Sequence, residues 1–139
     1  MFDIPPAAQP PQSIHNPGGV AVAIIVSPSG NICCDMFKDS ALYCVVSSWS
    51  TDKPYGLDDL GRPVMQVSLE EDGSLYASGR GDAPACAGLY GTAPQVLGYG
   101  QSVRYGDGVC RSAETGMSCW NTVYKKGFTV NRDGWTEIK

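Results

Sequence analysis

The residues with the most chemistry in this chain are six cysteines, a single histidine and two short carboxylate runs. The cysteines are Cys33, Cys34, Cys44, Cys86, Cys110 and Cys119. A nucleophilic cysteine or serine needs a base within hydrogen-bond reach. His15 is the only imidazole, and it lies in a proline-rich stretch where a solvated side chain is expected. Cys-His and Ser-His-Asp chemistry are therefore not expected, which leaves a Ser-Lys arrangement as the one nucleophilic route. Glycoside hydrolysis needs two carboxyl groups flanking a sugar cleft. Glu70-Glu71-Asp72 reads instead as a hairpin turn, and Asp58-Asp59 as a loop. Zinc sites call for cysteine pairs separated by two to four residues. Neither Cys34/Cys44 nor Cys110/Cys119 has that spacing, and Cys33 and Cys34, adjacent on a strand, would point to opposite faces. No EF-hand pattern is present for calcium. The expectation is no metal, no cofactor and no enzymatic reaction. Arg80-Gly81-Asp82 spells a receptor-binding tripeptide, but in a glycine-rich loop it reads as a turn.

The cysteines make better sense as disulfides. Nine residues separate Cys34 from Cys44, and eight separate Cys110 from Cys119. Each interval has a turn signal near its middle, Lys38-Asp39-Ser40 and Glu114-Thr115-Gly116. Both read as β-hairpins closed across their two strands, where opposed residues meet the geometric needs of the bond. Closing a loop of roughly ten residues stabilises by about 2–3 kcal/mol. Six cysteines in a chain of 139 suggest an oxidising setting. The segment Met1-Phe2-Asp3-Ile4-Pro5-Pro6 has neither the basic nor the apolar region of a signal peptide. Three readings reconcile the two: a leader has been removed, the cysteines stay reduced, or the protein leaves the cell by lysis as virion proteins do. The first and third are favoured.

The elements that position these residues are β. Hydrophobic residues make up 42% of the chain, enough for one core, while 17 glycines and 10 prolines punctuate it with turns. A net charge of −4 excludes a sequence-independent nucleic-acid binder, which needs a basic face. No apolar run reaches the roughly 18 residues of a membrane span. Residues 1–19 form an arm in which Pro5, Pro6, Pro10, Pro11 and Pro17 favour extended geometry. An arm of this kind is held either by its own domain or by a neighbouring subunit, and Phe2, Ile4, Pro5, Pro6, Pro10, Pro11 and Ile14 are its candidate docking residues. Residues 20–139 form the β domain. Strands are expected at 20–26, 32–37, 41–47, 64–69, 74–78, 96–97, 102–105, 109–112, 117–122, 128–131 and 135–138. No stretch keeps a helical period. The expected fold is all-β, a small antiparallel sandwich or barrel of short strands with disulfide-closed hairpins.

Several stretches resemble a family of small secreted actinobacterial proteins of unknown function. The first is Ser27-Pro28-Ser29-Gly30-Asn31-Ile32 followed by Cys34-Asp35-Met36. The second runs from Leu97-Gly98-Tyr99-Gly100-Gln101-Ser102-Val103-Arg104-Tyr105-Gly106-Asp107 through Cys110, Ser112, Thr115-Gly116 and Cys119 to Asn121. Gly127-Phe128-Thr129-Val130 with Arg132-Asp133-Gly134 completes a pattern covering roughly residues 24–136. The resemblance implies a secreted, disulfide-stapled β domain and implies no reaction. Three departures stand out. Cys33 replaces the family's usual glycine, Lys126 replaces its usual histidine, and the loop Lys53-Pro54-Tyr55-Gly56-Leu57 lacks the cysteine expected to partner the one matching Cys86. A Cys33–Cys86 bridge is the simplest repair, although sequence alone does not fix connectivity among six cysteines.

Aromatic side chains dominate both cores and binding surfaces. Trp120 reads as core, whereas Trp49, Tyr55 and Tyr90 read equally well as core or as a binding surface. The functional expectation is a non-enzymatic structural or interaction protein. Its most concrete form is an accessory virion protein of an actinobacteriophage, a capsid decoration or tail-surface protein. Its arm would dock on capsid or tail subunits, and it could self-associate as a homo-oligomer. A secreted or cell-envelope binding module is the alternative, and a hydrolase with an unrecognised site the third reading.

Overall fold

Apolar side chains alternating along short strands, with turn residues between them, fold here into two stacked β-meanders. The computed structural model describes residues 2–12, 14–15, 21–48, 56–57, 60–61, 64–79, 86 and 93–138. Sheet I contains β1 (Val22–Val26), β2 (Ile32–Phe37), β3 (Leu42–Val46), β4 (Val64–Leu69), β5 (Leu75–Gly79) and β6 (Gln95–Val96), in the order β5-β4-β3-β2-β1-β6. Sheet II contains β7 (Ser102–Tyr105), β8 (Gly108–Ala113), β9 (Gly116–Asn121), β10 (Lys126–Asn131) and β11 (Gly134–Ile138), in the order β11-β10-β9-β8-β7. The all-β sandwich with disulfide-closed hairpins expected from the sequence is the observed fold, and strand bounds agree within one or two residues. Val20 lies outside the described residues. Among the named strands of the described residues, β6 departs from the antiparallel arrangement by pairing parallel with β1. The connection from β5, residues 80–94, is long enough for the crossover that a parallel pair requires.

Local chemistry sets the hairpins. In the β1–β2 turn, Gly30 takes φ +78°, which glycine adopts without penalty, and the Ser27 hydroxyl accepts the Ile32 N–H at 3.2 Å. The turn fixes the register, so Cys34 stands opposite Cys44 and, in the β8–β9 hairpin, Cys110 opposite Cys119. All four side chains point between the sheets and are wholly buried. Around them pack Ile25, Met36, Leu69, Val103, Met117 and Phe128, drawn from both sheets. The two hairpin disulfides touch across this core, with Cys44 Sγ and Cys119 Sγ 3.6 Å apart.

Sheet I buries part of its other face as well, over β1 to β3. Val22, Ile24, Cys33 and Val45 form a second apolar cluster there, with Phe37, Tyr43 and Cys86 packed against it. Val22 and Ile24 alternate with Ala23 and Ile25, which point into the main core, so β1 is apolar on both sides. That explains its continuous hydrophobic run.

Candidate functional site

Three places in the fold could carry function: the arm, the Cys33–Cys86 region and one end of the sandwich. The arm is built by backbone hydrogen bonds that its prolines leave open. The Ala8 N–H closes a turn on the Pro5 carbonyl at 2.9 Å. Gln9 then docks on the edge of sheet II, donating to the Ser102 carbonyl at 3.1 Å and accepting from the Arg104 N–H at 2.9 Å. Gln12 donates its N–H to the Gln95 side chain at 2.9 Å, and His15 exchanges two bonds of 2.8 Å with Val22 on β1. Before the turn, the Asp3 carbonyl accepts the Trp120 indole N–H at 3.1 Å. The arm thus runs from the outer face of sheet II, around β7, to the edge of sheet I. It shields two strand edges that would otherwise offer unpaired backbone groups.

Of the candidate docking residues, Phe2, Pro5 and Pro11 are half-buried, while Pro6 and Pro10 are exposed. Ile4 is 42% and Ile14 49% exposed. The arm therefore packs on its own domain and still presents apolar side chains outward. Beneath it lie two hollows. One of about 620 Å³ is lined by Pro5, Gln9, Gln12, Gln95, Gln101 and Arg111, and suits hydrogen bonding to a polar group. The other, about 440 Å³, is bounded by Ile4, Pro6, Trp120, Thr129 and Ile138. Trp120 is buried as expected, at 6% exposure, but against the arm rather than between the sheets. Its neighbours on β9, Met117 and Cys119, take the inward positions, so alternation turns the indole outward.

The cysteines form three disulfides: Cys33–Cys86, Cys34–Cys44 and Cys110–Cys119. Sulfurs of Cys34, Cys44 and Cys119 gather within 4.8 Å of one another, but all three are committed to disulfide bonds. Beside the first bridge lies a residue that the sequence reading passed over. Asp35 follows Cys34 on β2 and points to the second apolar cluster, 7% exposed. Its two carboxylate oxygens accept the Cys86 N–H at 3.1 and 3.2 Å. Burial pushes the Asp35 pKa up to about 6, and the Cys86 hydrogen bond opposes that rise only in part.

The carboxylates of the β4–β5 turn are engaged in local structure. Asp72 accepts the Ser74 N–H at 2.9 Å, and Glu70 accepts the Tyr43 hydroxyl at 2.6 Å. Burial and the Glu70 carboxylate together hold the Tyr43 phenol well above its ordinary pKa. A hydrogen bond with Asp39 holds the exposed Glu71 carboxyl above its ordinary range. Asp58 and Asp59 lie outside the described residues, as do the Arg80-Gly81-Asp82 tripeptide and the candidate binding residues Trp49, Tyr55 and Tyr90.

At one end of the sandwich, the β1–β2, β8–β9 and β10–β11 turns and the loop before β7 surround a cleft of about 490 Å³. Ser29, Asn31, Tyr99, Thr115, Arg132 and Asp133 line it. In sequence Ser29, Asn31 and Thr115 lie in stretches that read as turns, and turn geometry does occupy some of the lining residues. Asn31 bonds Ser48 with both ends of its amide, and the Asn131 amide bridges Thr115, Asp133 and Gly134. Yet these lining residues, far apart in the chain, meet here. Comparison of the chain with family models, with curated proteins and with solved structures finds no match.

Proposed function

We propose that this chain is a non-enzymatic interaction protein, and in its most specific form an accessory protein on the surface of an actinobacteriophage particle. In this reading the stapled sandwich is a rigid scaffold, and the arm docks it on capsid or tail subunits. The observation that carries the reading is the arm itself. It is fixed to its own domain by backbone hydrogen bonds while Ile4 and Ile14 stay 42% and 49% exposed. Apolar side chains already held in place bind without a large ordering cost. The three disulfides are compatible with an extracellular setting.

The secreted or cell-envelope module is the second reading, and one observation favours it. The cleft lined by Tyr99, Asn31 and Thr115 gathers residues from four separate connections, as ligand sites at the loop ends of sandwiches do.

The two readings separate in a culture of the source organism probed with an antibody to this chain and fractionated on a density gradient. Banding with particles supports the virion role. Free protein in the supernatant supports the secreted module and refutes the virion version. Retention in the cytosol in reduced form refutes both. Because the arm caps Trp120 and two strand edges, Ile4→Asp with Ile14→Asp is a cleaner probe of docking than deletion. These outward side chains can change without unfolding the domain, and loss of particle banding is the expected result.

A further inference from the structure

Two of the three disulfides are sealed. Cys34, Cys44, Cys110 and Cys119 are wholly buried between the sheets, so a thiol reaches them only when the sandwich opens. Cys33–Cys86 differs in position and in access. It lies on the outer face of sheet I, outside the main core. Cys86 is partly exposed, whereas Cys33 is nearly covered. The bridge spans 53 residues, against 10 and 9 for the hairpin staples, so it ties a distant segment to β2 and does not merely close a turn. Cys86 also takes φ +64°, uncommon for a residue with a side chain, and its N–H is held by Asp35. Beneath it lie Val22, Ile24 and Val45.

We propose that Cys33–Cys86 is a thiol-exchange site, with Cys86 Sγ as the attacked sulfur and a small thiol as the reactant, and that its opening unpins Cys86 from the apolar face of sheet I. In the first step the thiolate bonds to Cys86 Sγ and the bond to Cys33 breaks. The electron pair leaves on Cys33 Sγ, which takes a proton from water. The product is a mixed disulfide on Cys86 and a free Cys33 thiol. A second thiolate attacks the small-molecule sulfur of that mixed disulfide, and Cys86 leaves as a thiolate and is protonated. Two thiols are oxidised to one disulfide, and the protein gains two electrons and two protons. Cys33 and Cys86 are thereby reducible in the native state, while the hairpin staples persist. The access argument follows from burial alone, since the attacking thiolate needs a path to the sulfur.

The test uses the full chain, oxidised and folded, titrated with reduced glutathione, quenched with an alkylating agent and mapped by peptide mass spectrometry. Labelling confined to Cys33 and Cys86, with the glutathione adduct on Cys86, is the expected result. The four buried cysteines should label only after denaturant is added. Labelling of those four alongside overturns the selectivity, and an adduct on Cys33 overturns the assignment of the attacked sulfur. The unpinning is read by a fluorescent probe of apolar surface on the partly reduced chain and on Cys33→Ser/Cys86→Ser. A several-fold rise in both is expected. No rise in the partly reduced chain overturns that half of the proposal, whether or not the double variant folds.

Discussion

Replacing the buried carboxylate by its neutral isostere, Asp35→Asn, should stabilise the protein, and only above a defined pH. Asp35 keeps a pKa of about 6 in the fold against an ordinary 3.8. The folded state therefore binds the proton more tightly than the unfolded chain. The stability gained from that proton is fully present below 3.8, falls as pH rises, and is gone above about 6. At about 1.4 kcal/mol per tenfold change in proton affinity, the interval corresponds to about 3 kcal/mol. The amide that replaces the carboxylate carries no charge, and its carbonyl could still accept the Cys86 N–H. At pH 8 the variant should gain up to about 3 kcal/mol, which for a chain of this size is a melting rise of roughly 6–12 °C. At pH 4 the two proteins should melt nearly together. Thermal unfolding of both from pH 4 to 8, compared as a difference so that other carboxylates cancel, is the assay. A variant less stable at pH 8, or a difference that does not vary with pH, refutes the reasoning.

Other substitutions probe the core and the arm. Phe128 is wholly buried between the sheets, so Phe128→Ala should cost about 3–5 kcal/mol, read as a lower urea midpoint at an unchanged slope. A Cβ on Gly127 would stand 2.5 Å from the Cys119 carbonyl oxygen and 2.6 Å from the Trp120 Cβ. Neither can step aside without moving β9, so Gly127→Ala should destabilise by about 1–3 kcal/mol in the same measurement. Trp120→Phe keeps an aromatic ring but removes the donor to the Asp3 carbonyl, at about 1 kcal/mol. Its signature should be faster amide exchange within residues 2–12, with exchange in β8 to β10 unchanged.

What the sequence made legible is what neighbours in the chain decide. The hairpins follow from turn residues and alternation, and the turn register in turn sets Cys34 against Cys44 and Cys110 against Cys119. Burial on the outer faces is another matter. With Cys34 and Cys119 inward, Asp35 and Trp120 must point outward; residue type marked Trp120 for burial, but nothing local says what covers either side chain. They are buried because distant segments reach them: Cys86, 51 residues on, caps Asp35, and Asp3, 117 residues back, caps Trp120. The course of the arm and the convergence of four connections on one cleft are unreadable for the same reason. Both depend on how the two sheets stack, which no local signal encodes. The parallel β6 is a subtler case: the length of residues 80–94 permits a crossover without demanding one.

The contact between Cys44 and Cys119, at 3.6 Å, gives the centre of the molecule a second available wiring. As built, each disulfide rivets two strands of one sheet and nothing covalent joins the two meanders there. Exchange between the neighbours, giving Cys44–Cys119 and Cys34–Cys110, would turn rivets within the sheets into bolts between them. The isomer would have the same mass and the same count of free thiols. It would differ in mechanical character, because the sandwich could no longer part into halves. Peptide mapping after refolding from the reduced chain distinguishes the two, and their ratio measures how firmly hairpin register alone dictates sulfur pairing.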